Sequence, residues 1–212
     1  MLCLVLCEES QTITKLIRNL DIECYSCDLQ KSSGGFPQYH IIDDCLNVIN
    51  GNRYIRTENG NNIYIGKPDV IIAHPPCTYL TSAGSNLLFD SNHNIKDLNR
   101  YELGIKAAMF FNKIYHADIE RICIENPTPI KIFNLPKYSM IISPDECGSQ
   151  YSKRTCLWLK NIPLFSGDYY KPEKRKSYVY SPGIYGSKLR SKTDQKLAEC
   201  IVYNIFLRTY IY

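Results

Sequence analysis

The chain contains no apolar run that approaches the roughly eighteen residues a helix needs to cross a bilayer. Its apolar amino terminus covers only seven residues and lacks the basic start of a secretory signal peptide. Internal repeats and low-complexity tracts are also missing. These absences argue against membrane-spanning and repeat proteins, and we expect an intracellular protein that is not secreted.

A second CxxC pair is missing as well, which bears on the ten cysteines of the chain. Cys24 and Cys27 form a CxxC without the partner pair that a zinc site needs. They also fall in a predicted strand, whereas a thioredoxin-like motif opens a helix. Many other cysteines lie in apolar runs typical of strands, and no signal directs the chain to an oxidising compartment. We expect reduced, structural thiols and no bound metal.

The composition that is present indicates one domain spanning residues 1–212. The chain is 44% hydrophobic and 22% charged, which is enough for a full core. Asn59-Gly60 separates two alternating runs, so a hairpin insertion is expected over residues 45–67. The net charge of +4 is mild, but basic residues concentrate between Lys171 and Lys192 among tyrosine, proline and glycine. We expect a basic, irregular loop over 166–192, which either follows a phosphate backbone or is simply solvated.

Apolar runs alternate with segments of helical period along most of the chain. The runs predict strands at Leu2–Leu6, Ile22–Cys27, His40–Ile42, Asp69–Ala73 and Ile119–Ile124. Helices are predicted after a Ser10 cap, from about Asp97 to His116 with an apolar stripe that includes Ile105 and Met109, and from about Thr193 to Thr209. A later strand, Thr155–Leu159, is predicted to pair with Met140–Ile142. The pattern predicts an α/β fold with a mostly parallel, doubly wound sheet and a β-rich carboxyl-terminal part.

Acidic residues follow most of the predicted strands. The strand ends carry Glu8 or Glu9, Asp28, Asp43 or Asp44, and Glu125. Right-handed crossovers place all of these ends along one rim of a parallel sheet. Carboxylates there suit a ligand rich in hydroxyl and amino donors, such as a nucleoside. Asp28 lies twenty residues beyond Glu8, a spacing at which dinucleotide folds hold a ribose hydroxyl.

The fourth strand ends differently, in His74-Pro75-Pro76-Cys77. Proline cannot continue a central strand, so the pair forces a stiff exit loop. The loop carries the Cys77 thiol to the rim where open α/β sheets hold their ligands. Taken alone, the cysteine is either a nucleophile or an inert thiol beside a proline turn.

Three motifs in order resemble those of the cytosine-C5 DNA methyltransferases. They are Pro75-Pro76-Cys77, Glu125-Asn126, and the segment Gly148-Ser149-Gln150-Tyr151-Ser152-Lys153-Arg154, which resembles the Gln-x-Arg-x-Arg hairpin of that family. The similarity is greatest to the short methyltransferase-like proteins of phages and other viruses. It implies a Rossmann-like class I methyltransferase fold, S-adenosyl-L-methionine as cofactor, and a location in the cytoplasm or the host nucleus.

The resemblance also implies roles for individual residues. Cys77 would add to carbon 6 of cytosine, and Glu125, with a raised pKa, would donate to ring nitrogen 3. The cation at the base carbonyl would be Arg154 if the hairpin is aligned on Gln150, or Lys153 if it is aligned on Gly148. The implied cofactor contacts are Glu8, Asp28, Asp44 and Pro75. The implied substrate contacts are Asn126 and Gln150, and the charge of the basic loop adds Lys174, Arg175 and Lys176 as candidate contacts to the DNA backbone.

Two departures from the family leave alternatives open. The first turn, Leu6 to Gln11, contains no glycine, whereas the family has a Phe-x-Gly-x-Gly turn that cradles the cofactor. Too few residues separate Arg154 from the last helix for a target recognition domain. Any sequence specificity on DNA is therefore low, supplied by a partner, or unnecessary because the substrate is single-stranded DNA or a free nucleotide, such as a cytosine or other pyrimidine nucleotide. A non-catalytic nucleic-acid or nucleotide-binding protein on the same scaffold is a third interpretation.

Overall fold

The computed structural model describes residues 1–167, 176–177 and 192–207. A seven-stranded sheet lies at its centre, in the order β3-β2-β1-β6-β7-β10-β8. Those strands are β1 Leu2–Leu6, β2 Glu23–Asp28, β3 His40–Ile42, β6 Val70–Ala73, β7 Arg121–Pro127, β8 Met140–Ile142 and β10 Thr155–Lys160. The five strands from β3 to β7 in this order are parallel, whereas β10 runs antiparallel to both of its neighbours.

Helices cover both faces of this sheet, which explains why the central strands β1 and β6 are apolar at every position. They are α1 Thr12–Arg18, α2 Cys45–Val48, α3 Ser85–Leu88, α4 Leu98–Tyr115 and α5 Gln195–Val202, which continues as a π-helical turn over Tyr203–Leu207. Helices α1 and α5 pack on each other and on one face, where Ile13 and Ile201 join Val5 in the core. Helix α4 packs on the other face through Phe111 and Ile114. The predicted Rossmann-like α/β fold is confirmed.

The insertion between β3 and β6 contains the predicted hairpin, with strands β4 Arg53–Arg56 and β5 Asn62–Ile65 in antiparallel register. It forms a sheet of its own at the edge of the main sheet, joined to it by an isolated bridge between Ile41 and Thr57. Only part of the insertion is hairpin, because its first residues form the short helix α2. Asp44 caps α2 by accepting from the Leu46 amide, so the first residues of the insertion are helical.

The apolar stripe predicted for α4 is wrong at three positions. Leu98, Ile105 and Met109 are 70%, 38% and 58% exposed, whereas Ala108, which belongs to the predicted stripe, is buried together with Gly104. A Cβ on Gly104 would lie 2.1 Å from the ring of Phe133, so this glycine admits the ring against the helix backbone. The buried face of α4 therefore includes Gly104, which a hydrophobicity pattern does not count as an apolar residue.

Two further observations concern segments outside the sheet. No helix among the described residues is long and apolar enough to span a bilayer. The short strands β9 Tyr151–Ser152 and β11 Lys176–Ser177 pair in parallel. Residues 168–175 and 178–191 of the predicted basic loop, which include Lys174 and Arg175, lie outside the described residues.

Candidate active site

A cavity of about 610 Å³ opens at the carboxyl ends of four parallel strands, β2, β1, β6 and β7. The order of the strands in the sheet determines which residues form the walls of this cavity. Asp28, Glu8 and Glu9 lie at the β2 and β1 end, and Cys77 and Glu125 lie at the β6 and β7 end. Four of the five strand ends that the sequence predicted to share a rim therefore line one site, whereas Asp43 and Asp44, after β3, are not among the lining residues.

The turn between β1 and α1 keeps a sharp bend without glycine. Cys7 and Gln11 adopt left-handed backbone conformations, with φ angles of 59° and 55°. This conformation is costly for residues with a side chain, and local contacts must maintain it. The Gln11 side chain is fully buried, donates to the Phe36 carbonyl at 2.9 Å and accepts from the Phe36 amide at 3.0 Å. These two hydrogen bonds fix Gln11 in the conformation that glycine would adopt at no cost.

Glu8, predicted to contact the cofactor, is bonded to helix α1. Its carboxylate accepts from the amides of Ile13 and Thr14 at 2.6 and 3.3 Å, and from the Thr14 hydroxyl at 2.7 Å. Burial raises the pKa of Glu8, and His74 and these donors oppose the rise. Ser10 lies one residue before Gln11, the residue that precedes α1, and its hydroxyl accepts from the first helical amide, that of Thr12, at 3.4 Å, whereas Glu8 accepts from the next two.

The other predicted cofactor contacts divide between the cavity and its surroundings. Asp28 lines the cavity, and one of its oxygens accepts from the Gln30 amide at 2.9 Å. Burial raises the pKa of Asp28. Pro75 also lines the cavity, and its carbonyl accepts from the Asn126 side chain at 2.8 Å. Asp44 is exposed at the start of α2 and is not among the residues that form the wall.

Hydrogen bonds fix the position of the loop that carries Cys77. The amides of Leu80 and Thr81 both donate to the Cys77 carbonyl, at 3.0 and 2.9 Å, which closes a tight turn behind the thiol. The same loop is joined to the segment after β7, since the Ile130 amide donates to the Leu80 carbonyl at 2.7 Å. Because Glu125 lies on β7, these bonds hold the thiol and the carboxyl group in a fixed relation.

Glu125 is nearly enclosed, with a side chain that is 8% exposed. Its Oε2 lies 3.1 Å from His74 Nδ1, and its Oε1 lies 3.8 Å from Lys153 Nζ. Burial alone would raise the pKa of Glu125, but Lys153 and His74 outweigh burial and hold it below the ordinary value. The prediction of a raised pKa for this residue is therefore wrong in the ligand-free protein.

The structure distinguishes between the two alignments of the hairpin motif. Lys153 lines the cavity, whereas Arg154 is exposed and outside it, as is Gln150. The backbone fixes this choice, because the Lys153 amide donates to the Ser143 hydroxyl at 3.1 Å and the Lys153 carbonyl accepts from Thr155 at 3.0 Å. Lys153 is thereby the cation nearest to Glu125 among the described residues.

Lys153 also affects the nucleophile candidate. Burial and the negative charge of Glu125 raise the pKa of Cys77, whereas the positive charge of Lys153 lowers it. Burial is the largest of these effects, so the pKa of Cys77 lies above the ordinary thiol value. The free protein therefore holds Cys77 mainly as a thiol near neutral pH. Lys153 is the group that favours the thiolate.

Replacing Lys153 with glutamine is expected to slow alkylation of Cys77 by iodoacetamide and to move the pH midpoint of that reaction upward. The reason is that a thiolate, not a thiol, attacks the reagent, and the substitution removes the positive charge that stabilises it. Mass spectrometry of the Cys77 peptide over a pH series measures the rate. Arg154→Gln removes the same positive charge from the next residue along the chain, which lies outside the cavity, and should leave the pH midpoint unchanged. Equal shifts in both variants would contradict the assignment of Lys153.

Three cavity residues, His74, Lys192 and Thr193, were given no role in the site by the sequence analysis. His74 bridges the two ends of the site, with Thr193 Oγ1 3.3 Å from its Nδ1. Lys192 reaches the cavity from the segment before α5, with its Nζ 3.6 Å from Glu9 Oε1 and 3.0 Å from the Ser33 hydroxyl. For His74 the signal was its place beside Pro75-Pro76-Cys77, but nothing in the sequence brings residues 192–193 to this rim.

No protein-family model and no curated protein matches the chain. A solved structure with a similar fold is a candidate DNA modification methyltransferase encoded within a prophage of E. coli. The two are 12% identical, with a TM-score of 0.46 over 87% of this chain and 56% of the other. The chain thus spans little more than half the length of that structure.

Proposed function

We propose that this protein transfers a methyl group from S-adenosyl-L-methionine to carbon 5 of cytosine in DNA, through a covalent adduct with Cys77. The observation that carries the proposal is the shared wall of one cavity, where Cys77, Glu125 and Lys153 interact electrostatically. A thiol, a carboxyl group and a cation are the three groups that nucleophilic activation of a cytosine ring requires.

The residues at the β1 and β2 end fit the cofactor. Asp28 presents a carboxylate where ribose hydroxyls would be held, and Glu9 adds negative charge that suits a sulfonium cation. The Cys7 to Gln11 turn would hold the methionine part, and Pro75 would lie against it. A volume of about 610 Å³ is in the range of small-molecule sites. When bound, S-adenosyl-L-methionine would supply an electrophilic methyl group.

The residues at the β6 and β7 end would act on the base. Cys77 Sγ, as thiolate, would form a bond to carbon 6, and the electrons of the ring would move onto nitrogen 3. Glu125 would place a proton there, and Lys153 would stabilise charge at the carbonyl oxygen. Asn126 would act indirectly, because the hydrogen bond that its side-chain amide donates to the Pro75 carbonyl fixes the loop before Cys77.

The substrate must present a base that is not stacked between its neighbouring bases. Cys77 lies inside a cavity, so a cytosine in a duplex would have to be flipped out, whereas a single strand or a nucleotide would avoid that cost. We propose that Lys174, Arg175 and Lys176 contact DNA phosphates, since their charge suits that role.

The direct test is incubation with methyl-labelled S-adenosyl-L-methionine and three substrates in parallel: duplex DNA, the same sequence as a single strand, and dCMP. Digestion to nucleosides and mass spectrometry identify the product. The proposal expects 5-methyldeoxycytidine from DNA, and a single-strand preference would indicate that base flipping limits the reaction.

Two results would overturn the proposal. Methylation of dCMP without methylation of either DNA would identify a nucleotide-modifying enzyme. Absence of transfer to all three substrates, together with absence of heat on titration of the cofactor, would favour a non-catalytic binding protein.

A further inference from the structure

The thiols of Cys7, Cys27 and Cys45 form a cluster where β1 and β2 end, and the proposed reaction uses none of them. Cys7 directly follows β1, and its amide donates to the Cys27 carbonyl, near the end of β2, at 2.7 Å. Cys45 begins α2, and its Sγ lies 3.5 Å from the same Cys27 carbonyl oxygen. This thiol cluster therefore joins the rim of the sheet to the first helix of the insertion.

Within the thiol cluster, Cys7 and Cys45 are placed to react with each other. Their Sγ atoms lie 3.7 Å apart. A disulfide holds its two sulfur atoms about 2.05 Å apart, so a small side-chain movement brings these two within bonding distance. Cys27 is directed elsewhere, since its thiol donates to the Asp43 carbonyl at 3.4 Å.

The cavity gives an oxidant access to this pair. Cys7 is half-buried and lines the cavity, whereas Cys27 and Cys45 are buried. Hydrogen bonding with Cys27 and Cys7 lowers the pKa of Cys45 and raises those of its two partners. Cys45 is thus the member of the cluster that ionises most readily, and the thiolate is the form that peroxides oxidise.

We propose that Cys7 and Cys45 form an oxidation site, at which a peroxide converts them into a disulfide that weakens cofactor binding in the adjoining cavity. The effect on the cofactor rests on the proposed function. In the reaction the sulfur–sulfur bond forms and the oxygen–oxygen bond of the peroxide breaks. The two sulfurs lose two electrons in total. Starting from the Cys45 thiolate and the Cys7 thiol, hydrogen peroxide leaves as one hydroxide and one water molecule, and the thiol proton leaves in the water.

The effect on the cavity follows from which of the two residues can move. Cys45 is only 4% exposed and packs in the core with Val48, so its position is fixed. Cys7 belongs to the turn at the cavity wall, and Glu8 and Glu9 follow it directly. Closing the gap between the two sulfurs therefore draws this turn towards α2 and displaces the wall that would hold the methionine part of the cofactor.

The bond is tested by treating the reduced protein with hydrogen peroxide, blocking free thiols with N-ethylmaleimide and mapping tryptic peptides without reduction. Cleavage after Lys15, Lys31 and Arg53 places the three cysteines on different peptides. We expect a link between peptides 1–15 and 32–53 that fragmentation assigns to Cys7 and that dithiothreitol reverses. Cys45→Ser should lose this link. Cys27→Ser, which removes a thiol of the same cluster, should keep it.

The effect on the cavity is measured by calorimetric titration of S-adenosyl-L-methionine before and after oxidation. The Kd should rise about tenfold or more, because the displaced turn no longer matches the ligand, and dithiothreitol should restore it. Peroxide also reaches Cys77 in the same cavity. Cys45→Ser retains Cys77 but cannot form the disulfide, so its Kd should be the same before and after treatment.

The outcomes separate this inference from the function on which part of it rests. A link from Cys27 to Cys45, or no link at peroxide concentrations that oxidise Cys77, overturns the oxidation site. A link from Cys7 to Cys45 with an unchanged Kd overturns the effect on the cofactor. If Cys45→Ser does not fold, Cys7→Ser must lose the link in its place. If the reduced protein does not bind the cofactor at all, the proposed function fails, whereas the peptide map still decides the oxidation site.

Discussion

Replacing Cys77 with serine is expected to reduce methyl transfer by roughly 10⁴-fold or more, to the level of the uncatalysed background. A hydroxyl group of the same shape is a far weaker nucleophile, because it does not ionise near neutral pH. Glu125 is poorly placed to activate this hydroxyl as a base, since it is bonded to His74 and lies beside Lys153. Labelled transfer to cytosine-containing DNA measures the loss.

A trapping experiment on the same variant tests the covalent step itself. In DNA that contains 5-fluorocytosine, fluorine replaces the proton that must leave carbon 5, so the protein should remain attached to the base. Wild type should give a DNA-linked species that resists denaturation, and Cys77→Ser should give none. Cys147→Ser, at a half-buried thiol outside the cavity, is the matched control and should be trapped like wild type. Trapping that persists in Cys77→Ser would assign the bond to another residue.

The positions of the strand ends could be predicted from the sequence because two independent signals agree there. An apolar run gives the strand, and the polar or proline residue after it gives the end, as at Ala73 followed by His74-Pro75. The parallel order then follows from crossover handedness. For this reason the prediction that Asp28, Cys77 and Glu125 share one rim is correct.

The details of the site could not be predicted, because they depend on contacts distant in sequence. Whether Lys153 or Arg154 faces the cavity depends on the Ser143 hydroxyl that holds the Lys153 amide. The low pKa of Glu125 depends on Lys153 and on His74, which comes from a different strand. A sequence motif identifies the carboxyl group, but its ionisation is a property of the assembled site.

The glycine-poor turn is the instance where a sequence rule and the structure differ most. The missing glycines after β1 left cofactor binding open, because the family's cofactor turn uses glycine and residues with a Cβ avoid positive φ. Gln11 nevertheless takes that conformation, since its buried amide bonds to both polar backbone groups of Phe36. Those bonds join residues 25 positions apart, so they are invisible to a local pattern.

Replacing Glu125 with glutamine is expected to have opposite effects on the two reactions of the site. Methyl transfer should fall about 10²- to 10⁴-fold, because an amide cannot pass a proton to nitrogen 3. Alkylation of Cys77 by iodoacetamide should instead become faster and shift to lower pH. The negative charge of Glu125 raises the pKa of Cys77, and its removal leaves the positive charge of Lys153 to stabilise the thiolate unopposed.

This divergence distinguishes a chemical role for Glu125 from a structural one. A collapsed site would slow both reactions or would expose every buried thiol to the reagent, whereas the electrostatic account accelerates Cys77 alone. Glu120→Gln, at an exposed carboxyl group at the opposite end of the strands from the cavity, removes the same charge and should change neither rate. A thiol that becomes more reactive while methyl transfer falls would show that the negative charge of Glu125 opposes the Cys77 thiolate and that its carboxyl group serves the transfer itself.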